Sequence, residues 1–134
     1  MRYAVRWLPS ILCMTAIFYL SSNTGDDMNG WLSEIQRFLP FMQGFDWGHF
    51  AAYFVLALTF AWGITGRKLT WGMKALVVLL CLLYGVTDEY HQSFVPGRSP
   101  DPLDLRNDGI GAALAMLFLT IPIVNKTFRQ WTGG

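Results

Sequence analysis

With 134 residues the chain has room for one domain. It is 53% hydrophobic and only 14% charged, with a mean hydropathy of +0.33. A soluble domain has about 25% charged residues, so an integral membrane protein is the first class to test. A net charge of +1 argues against a protein that holds nucleic acid by its electrostatic field.

The chain has four apolar runs. Residues 7–25 carry no charge, residues 47–66 carry only His49, and residues 75–87 and 109–125 are uncharged. A helix needs about 20 residues to cross a hydrocarbon core about 30 Å thick. The third run has thirteen residues, which rise about 20 Å as a helix. To cross, that helix must begin near Trp71 to Lys74 and continue through Asp88 to His91. The expectation is a single all-α domain over 1–134, a bundle of four transmembrane helices with spans near 4–22, 48–66, 73–92 and 107–125.

The start of the chain has a basic end and an apolar middle, as a signal peptide does. However, "YLSSNTG" places Leu20 where a cleavage site needs a small residue. Residues 1–22 are therefore expected to stay as the first span. The longest connection is Ser21 to Asp46. Within it Trp31, Ile35, Phe38, Leu39 and Met42 recur at helical spacing. That pattern predicts a short amphipathic helix, lying in the membrane interface or packed on the bundle as a lid.

Basic residues orient the spans. Arg2 and Arg6 precede the first, Arg67, Lys68 and Lys74 lie between the second and third, and Lys126 and Arg129 follow the fourth. Arg37, Arg98 and Arg106 fall on the other side. The positive-inside rule puts both termini in the cytoplasm of a bacterial inner membrane, crossed several times. All nine acidic residues then lie at the outer face. Cys13 and Cys81 sit in apolar runs, outside any metal or redox motif, and read as packing residues.

Polar residues gather at the predicted outer ends. The second span opens with "DWGH" (Asp46, His49), and the third closes with "DEYH" (Asp88, Glu89, His91) followed by Gln92. The fourth opens with "DLRND" (Asp104, Asp108). Spacings of three and four place such pairs on one helical face. Tyr84, Asp88, His91 and Gln92 share a face on the third span. Ionisable groups at membrane depth face the bundle interior or a watery cavity, which predicts a polar pocket facing outward, with Arg98 reaching in from "VPGRSPDP".

Three uses of this pocket compete. One is a hydrogen-bonded network that ties helix ends together. The second is a divalent-metal site, because paired carboxylate-x-x-His motifs resemble the ligands of dimetal bundles. The third is metal-free acid/base chemistry, since a carboxylate at a membrane boundary can serve as a proton donor near neutral pH. Asp88, Glu89, His91 and His49 are the expected acid/base groups. Arg98, Gln92, Asp46, Asp104, Asp108 and Tyr84 are expected to hold the substrate, with the Arg98 fork suited to a phosphate or carboxylate. An ion pair with Asp101 or Asp104 is the plainer role for Arg98. Gly109 and Gly111, at the start of the last span, fit close helix packing.

The stretch "YGVTDEYHQSFVPGRSPDPLDLRNDGIGA", residues 84–112, resembles the signature of the VanZ-like family. "DWGHFAAYFVLAL" (46–58) and "FYLSSNTG" (18–25) resemble two further blocks of that family. Trp47 stands where many members have a lysine. The resemblance implies a small four-helix membrane protein and an association with tolerance to glycopeptide antibiotics of the teicoplanin type. It implies no reaction. The expected function is therefore action on an envelope lipid or a lipid-linked cell-wall precursor. The alternatives are a non-enzymatic binder or shield that alters antibiotic access, and a metal-dependent hydrolase of lipid headgroups. Membrane lipids, not nucleic acid, are the expected partners; enzyme status, cofactor and oligomeric state stay open at this point.

Overall fold

The computed structural model describes residues 2–42, 44, 46–64 and 68–133. Arg67, the end of the second expected span (Thr65, Gly66), and Gln43 and Phe45 of the long connection lie outside the described residues. The described residues are helical and contain no strand. In chain order the helices are α1 (Arg2–Val5), α2 (Leu8–Ser21), α3 (Gly25–Phe38), α4 (Asp46–Ile64), α5 (Trp71–Gln92), α6 (Pro102–Phe118) and α7 (Pro122–Thr132).

Helices α4 and α5 are each long and apolar enough to cross a membrane. The Thr70 side chain caps α5 by accepting from the Met73 N–H at 3.2 Å. The helix then runs unbroken through Asp88 and His91 to Gln92. The short third apolar run is thus completed by its polar end.

Two expected spans are broken instead, and proline accounts for both. Residues 4–22 divide into α1 and α2. Pro9, in the first turn of α2, has no N–H to continue a helix from the preceding segment. The 14 residues of α2 rise only about 21 Å. Residues 107–125 divide at Leu119–Ile121, and α7 leaves the axis of α6 by 91°. Pro122 opens α7. Among the described residues two helices are long and apolar enough to span by themselves, and up to three spans result if the α6–α7 pair counts as one broken span.

Helix α4 is central and packs against α2, α5 and α6. Leu56, Ala57 and Ala61 of α4, Val77 and Cys81 of α5, and Ala112 and Ala115 of α6 form a core without solvent contact. Small residues bring the backbones close, as membrane helices require in the absence of a hydrophobic drive between them. Gly111 is the tightest such point: a Cβ there would lie 2.5 Å from the Phe50 carbonyl oxygen. Val55, Leu79, Leu83, Val86, Leu114 and Leu117 point outward and are exposed, which suits surroundings of lipid rather than water.

Helix α3 lies over one end of this bundle. Thr24 and Asp27 form a reciprocal capping box at its start. Met28, Leu32, Ile35 and Gln36 are half-buried, while Trp31 and Phe38 stay exposed. The start of α3 is fastened to the α5–α6 connection, where the Gly25 N–H donates to the Pro96 carbonyl at 3.1 Å. A Cβ on Gly25 would collide with the Gly97 carbonyl.

Candidate functional site

The site forms where the ends of α4, α5 and α6 meet beneath α3. His49 stands in the first turn of α4, and α6 presents Asp104 and Asp108 one turn apart. His49 Nδ1 lies 2.8 Å from Asp108 Oδ1, and Nε2 lies 3.5 Å from Asp104 Oδ2. One imidazole therefore bridges both carboxylates of "DLRND". Asp108 is fully buried, and its Oδ2 has no hydrogen-bond partner among the described residues. That oxygen fits against α5 because residue 85 is glycine: a Cβ there would sit 2.7 Å from it.

Asp88 and Gln92 reach the same place from the last turns of α5. The Gln92 amide donates to Asp88 Oδ2 and to Ser21 Oγ, both at 3.3 Å. Asp88 is 4% exposed, and its Oδ1 has no partner among the described residues. Arg98 arrives from a tight turn. Its N–H donates to the Val95 carbonyl at 3.1 Å, with Pro96 and Gly97 at the centre and Gly97 at φ +73°. Proline followed by a residue of positive φ is the pattern of a type II turn. The half-buried Arg98 makes no side-chain hydrogen bond or ion pair among the described residues, so the expected bridge to Asp101 or Asp104 does not form.

Two cavities meet at these residues. A polar crevice of about 260 Å³ is lined by Asp46, His49, Gln92, Arg98, Ser99 and Asp104. An apolar cleft of about 290 Å³ runs beside it, walled by Ile17, Leu20, Trp47, Ala52 and Tyr53, with Met28 and Trp31 of α3 against it. Met28, His49, Gln92 and Arg98 belong to both. Met28 of α3 lines both cavities, and Trp31 lines the apolar one.

Four expected site residues line neither cavity: Asp108, buried behind His49, and three that turn to other partners. Glu89 Oε2 accepts the Asp101 N–H at 2.7 Å, holding the start of α6. The His91 ring stacks on Phe18 with centroids 4.2 Å apart. The Tyr84 hydroxyl donates to the Met14 carbonyl at 2.6 Å. The last two fasten α5 to α2. His91 turns to another helix and both His49 nitrogens face carboxylates. Accordingly, no group of three or more His, Cys, Asp or Glu side chains among the described residues is placed to hold a metal. The histidines of the two Asp-x-x-His motifs thus face different partners, His49 two carboxylates and His91 the Phe18 ring.

Residues outside the expected set also contribute. Ser21 meets Gln92, and the Tyr53 hydroxyl is buried without a partner among the described residues at the wall of the apolar cleft. Tyr53 follows His49 by four residues on α4, a spacing that was readable in the sequence. Nothing in "FYLSSNTG" by itself distinguishes Ser21 from Ser22.

Chemically, the arrangement offers an imidazole oriented from behind by a buried carboxylate. Its second nitrogen faces an accessible crevice that also contains a free guanidinium. A buried aspartate on one ring nitrogen fixes the tautomer and the ring, leaving the other nitrogen to exchange protons. No curated protein and no solved structure matches the chain. The profile of the VanZ/LLP1 family matches residues 6–124, a stretch that holds every residue of the site, and the chain belongs to that family.

Proposed function

We propose that the site binds an anionic amphiphile of the cell envelope, a phospholipid or a lipid-linked cell-wall precursor, and carries out acid/base chemistry on its headgroup. The carrying observation is the meeting of a polar crevice and an apolar cleft at His49, Gln92 and Arg98. A ligand with one charged end and one greasy end matches that pair. Arg98 receives the headgroup phosphate, and Ile17, Leu20, Trp47 and Trp31 receive the first part of the chain. In this reading both termini face the cytoplasm, the pocket opens outward, and α3 lies at the interface.

In the reaction, His49 Nε2 takes the proton of an attacking water or hydroxyl. The new bond forms from that oxygen to the headgroup phosphorus as the bond to the leaving oxygen breaks. The proton then passes to the leaving oxygen. Asp108 orients the ring throughout, and Asp104 and Asp88 stabilise the charged imidazolium. Glu89, His91 and Tyr84 serve as positioning residues. Altered envelope lipids would link this activity to the glycopeptide tolerance that the family resemblance implies.

The test is to incubate purified protein in nanodiscs with phospholipids and polyprenyl-phosphate-linked sugars, and follow headgroup loss or exchange by mass spectrometry. Turnover that Asp108→Asn abolishes is expected. Retained lipid with no turnover of any class overturns the enzymatic reading and leaves the binder or shield.

A further inference from the structure

At the opposite end of the bundle, where α5 begins and α6 bends into α7, lies a second and larger cleft of about 940 Å³. Lys68, Lys74, Lys126 and Arg129 line it, and among the described residues no carboxylate does. We propose that this cleft is a binding site for the phosphate of an anionic lipid in the leaflet at that end.

Lys74 makes the strongest case. It is only 7% exposed, yet its ammonium has no hydrogen-bond or ion-pair partner among the described residues. Its Nζ lies 4.4 Å from the centroid of the Trp71 ring. A buried charge is costly unless it is paired. Its position compounds the cost, because it stands in the first turn of α5, where the helix dipole favours an anion over a cation. An anion in the cleft resolves both at once.

The elbow supplies the rest of the site. The 91° bend carries Lys126 and Arg129 to the wall of the cleft that holds Lys74. Helix α7, eleven residues long, begins there at Pro122. Trp71, Ile123 and Trp131 at this end are more than 70% exposed, as aromatic and apolar anchors at a membrane boundary are. Those anchors place the cleft at headgroup depth and favour a lipid phosphate over a soluble one. The site is independent of the pocket under α3; only its position beside a leaflet rests on the membrane-spanning reading.

The experiment uses the whole protein in nanodiscs of phosphatidylcholine doped with phosphatidylglycerol. Retained lipid is counted by native mass spectrometry, with inorganic phosphate as a competing probe. In the Arg98→Gln background, which weakens the pocket under α3, one phosphatidylglycerol per chain is expected to survive, with retention falling at least tenfold when Lys74→Gln or Lys126→Gln/Arg129→Gln is added. The second variant changes only exposed side chains and so keeps the test meaningful if Lys74→Gln misfolds. Arg37→Gln, on α3 at the other end, should not change retention. Unchanged retention in the cleft variants overturns the proposal, and so does an equal loss in Arg37→Gln. Displacement of the lipid by millimolar inorganic phosphate would assign the cleft to a soluble anion and overturn the lipid assignment.

Discussion

His49 Nδ1 lies 2.8 Å from Asp108 Oδ1, and Asp108 has no solvent exposure. This pair joins α4 to α6 behind the pocket and sets the direction of Nε2, which faces Asp104 at 3.5 Å. If His49 exchanges protons with a bound headgroup, Asp108→Asn should lower turnover by about 100-fold or more, the usual scale of acid/base catalysis. The amide keeps the shape of the side chain, so the unfolding midpoint in detergent should move little. His49→Ala should cost stability as well, about 1–3 kcal/mol, because a buried carboxylate oxygen loses its donor.

Glycine substitutions should separate site geometry from helix packing. Gly85→Ala puts a Cβ 2.7 Å from Asp108 Oδ2 and 2.9 Å from Leu105 Cδ1. Overpacking of this kind costs about 1–3 kcal/mol, and turnover should fall with it because Asp108 must move. Gly111→Ala meets backbone at 2.5 Å, cannot be relieved by a rotamer change, and should destabilise more. Gly48→Ala has open space around it and should stay within about 0.5 kcal/mol of the parent. Thermal unfolding of the three variants checks the order.

Arg98 should govern affinity for the anionic headgroup. A hydrogen bond to a charged group contributes about 1.5–3 kcal/mol, so Arg98→Gln should weaken phospholipid binding by about 10- to 150-fold. Gly97→Ala should show part of the same loss with Arg98 intact, because a left-handed φ of +73° is strained for any side chain. Titration with a fluorescent phospholipid analogue measures both.

Tyr84 and Glu89 should behave as structural residues. Tyr84→Phe removes the 2.6 Å bond to the Met14 carbonyl and should cost about 1 kcal/mol of stability with kcat unchanged. Glu89→Gln keeps an oxygen for the Asp101 N–H and should retain most turnover. A 100-fold loss of kcat in either variant would return that residue to the chemistry.

The proposed orientation has a direct check. A membrane-impermeant maleimide should label Ser99→Cys, an exposed position at the rim of the crevice, from outside intact spheroplasts. The native thiols are a weak background, since Cys81 is buried and Cys13 half-buried. A fluorescent protein fused to the C-terminus should fold and fluoresce on the cytoplasmic side.

Much of the architecture was legible from the residues because its causes are local. The thirteen-residue third run is shorter than a bilayer, so its helix had to continue through Asp88 and His91, and α5 does. Asp104 and Asp108 are four apart on one helix and meet one imidazole. The broken ends of the first and last spans were also local, written in Pro9 and Pro122, but an uncharged run conceals a proline when hydropathy alone is counted.

Which polar residue does what could not be read locally. "DWGH" and "DEYH" have the same spacing, yet His49 faces two carboxylates while His91 stacks on Phe18. Helical periodicity fixes which side chains share a face; the packing of α2 against α5 and of α4 against α6 decides what each face meets. The sequence by itself determined a helical membrane-class chain of the VanZ/LLP1 family, with its carboxylates segregated from most of its cations, because composition and span length follow from the order of residues. Only the tertiary structure decided that Asp104 and Asp108 converge on His49, and that Arg98 and Lys74 have no ion-pair partner among the described residues, because each depends on residues far apart in sequence packing together in space.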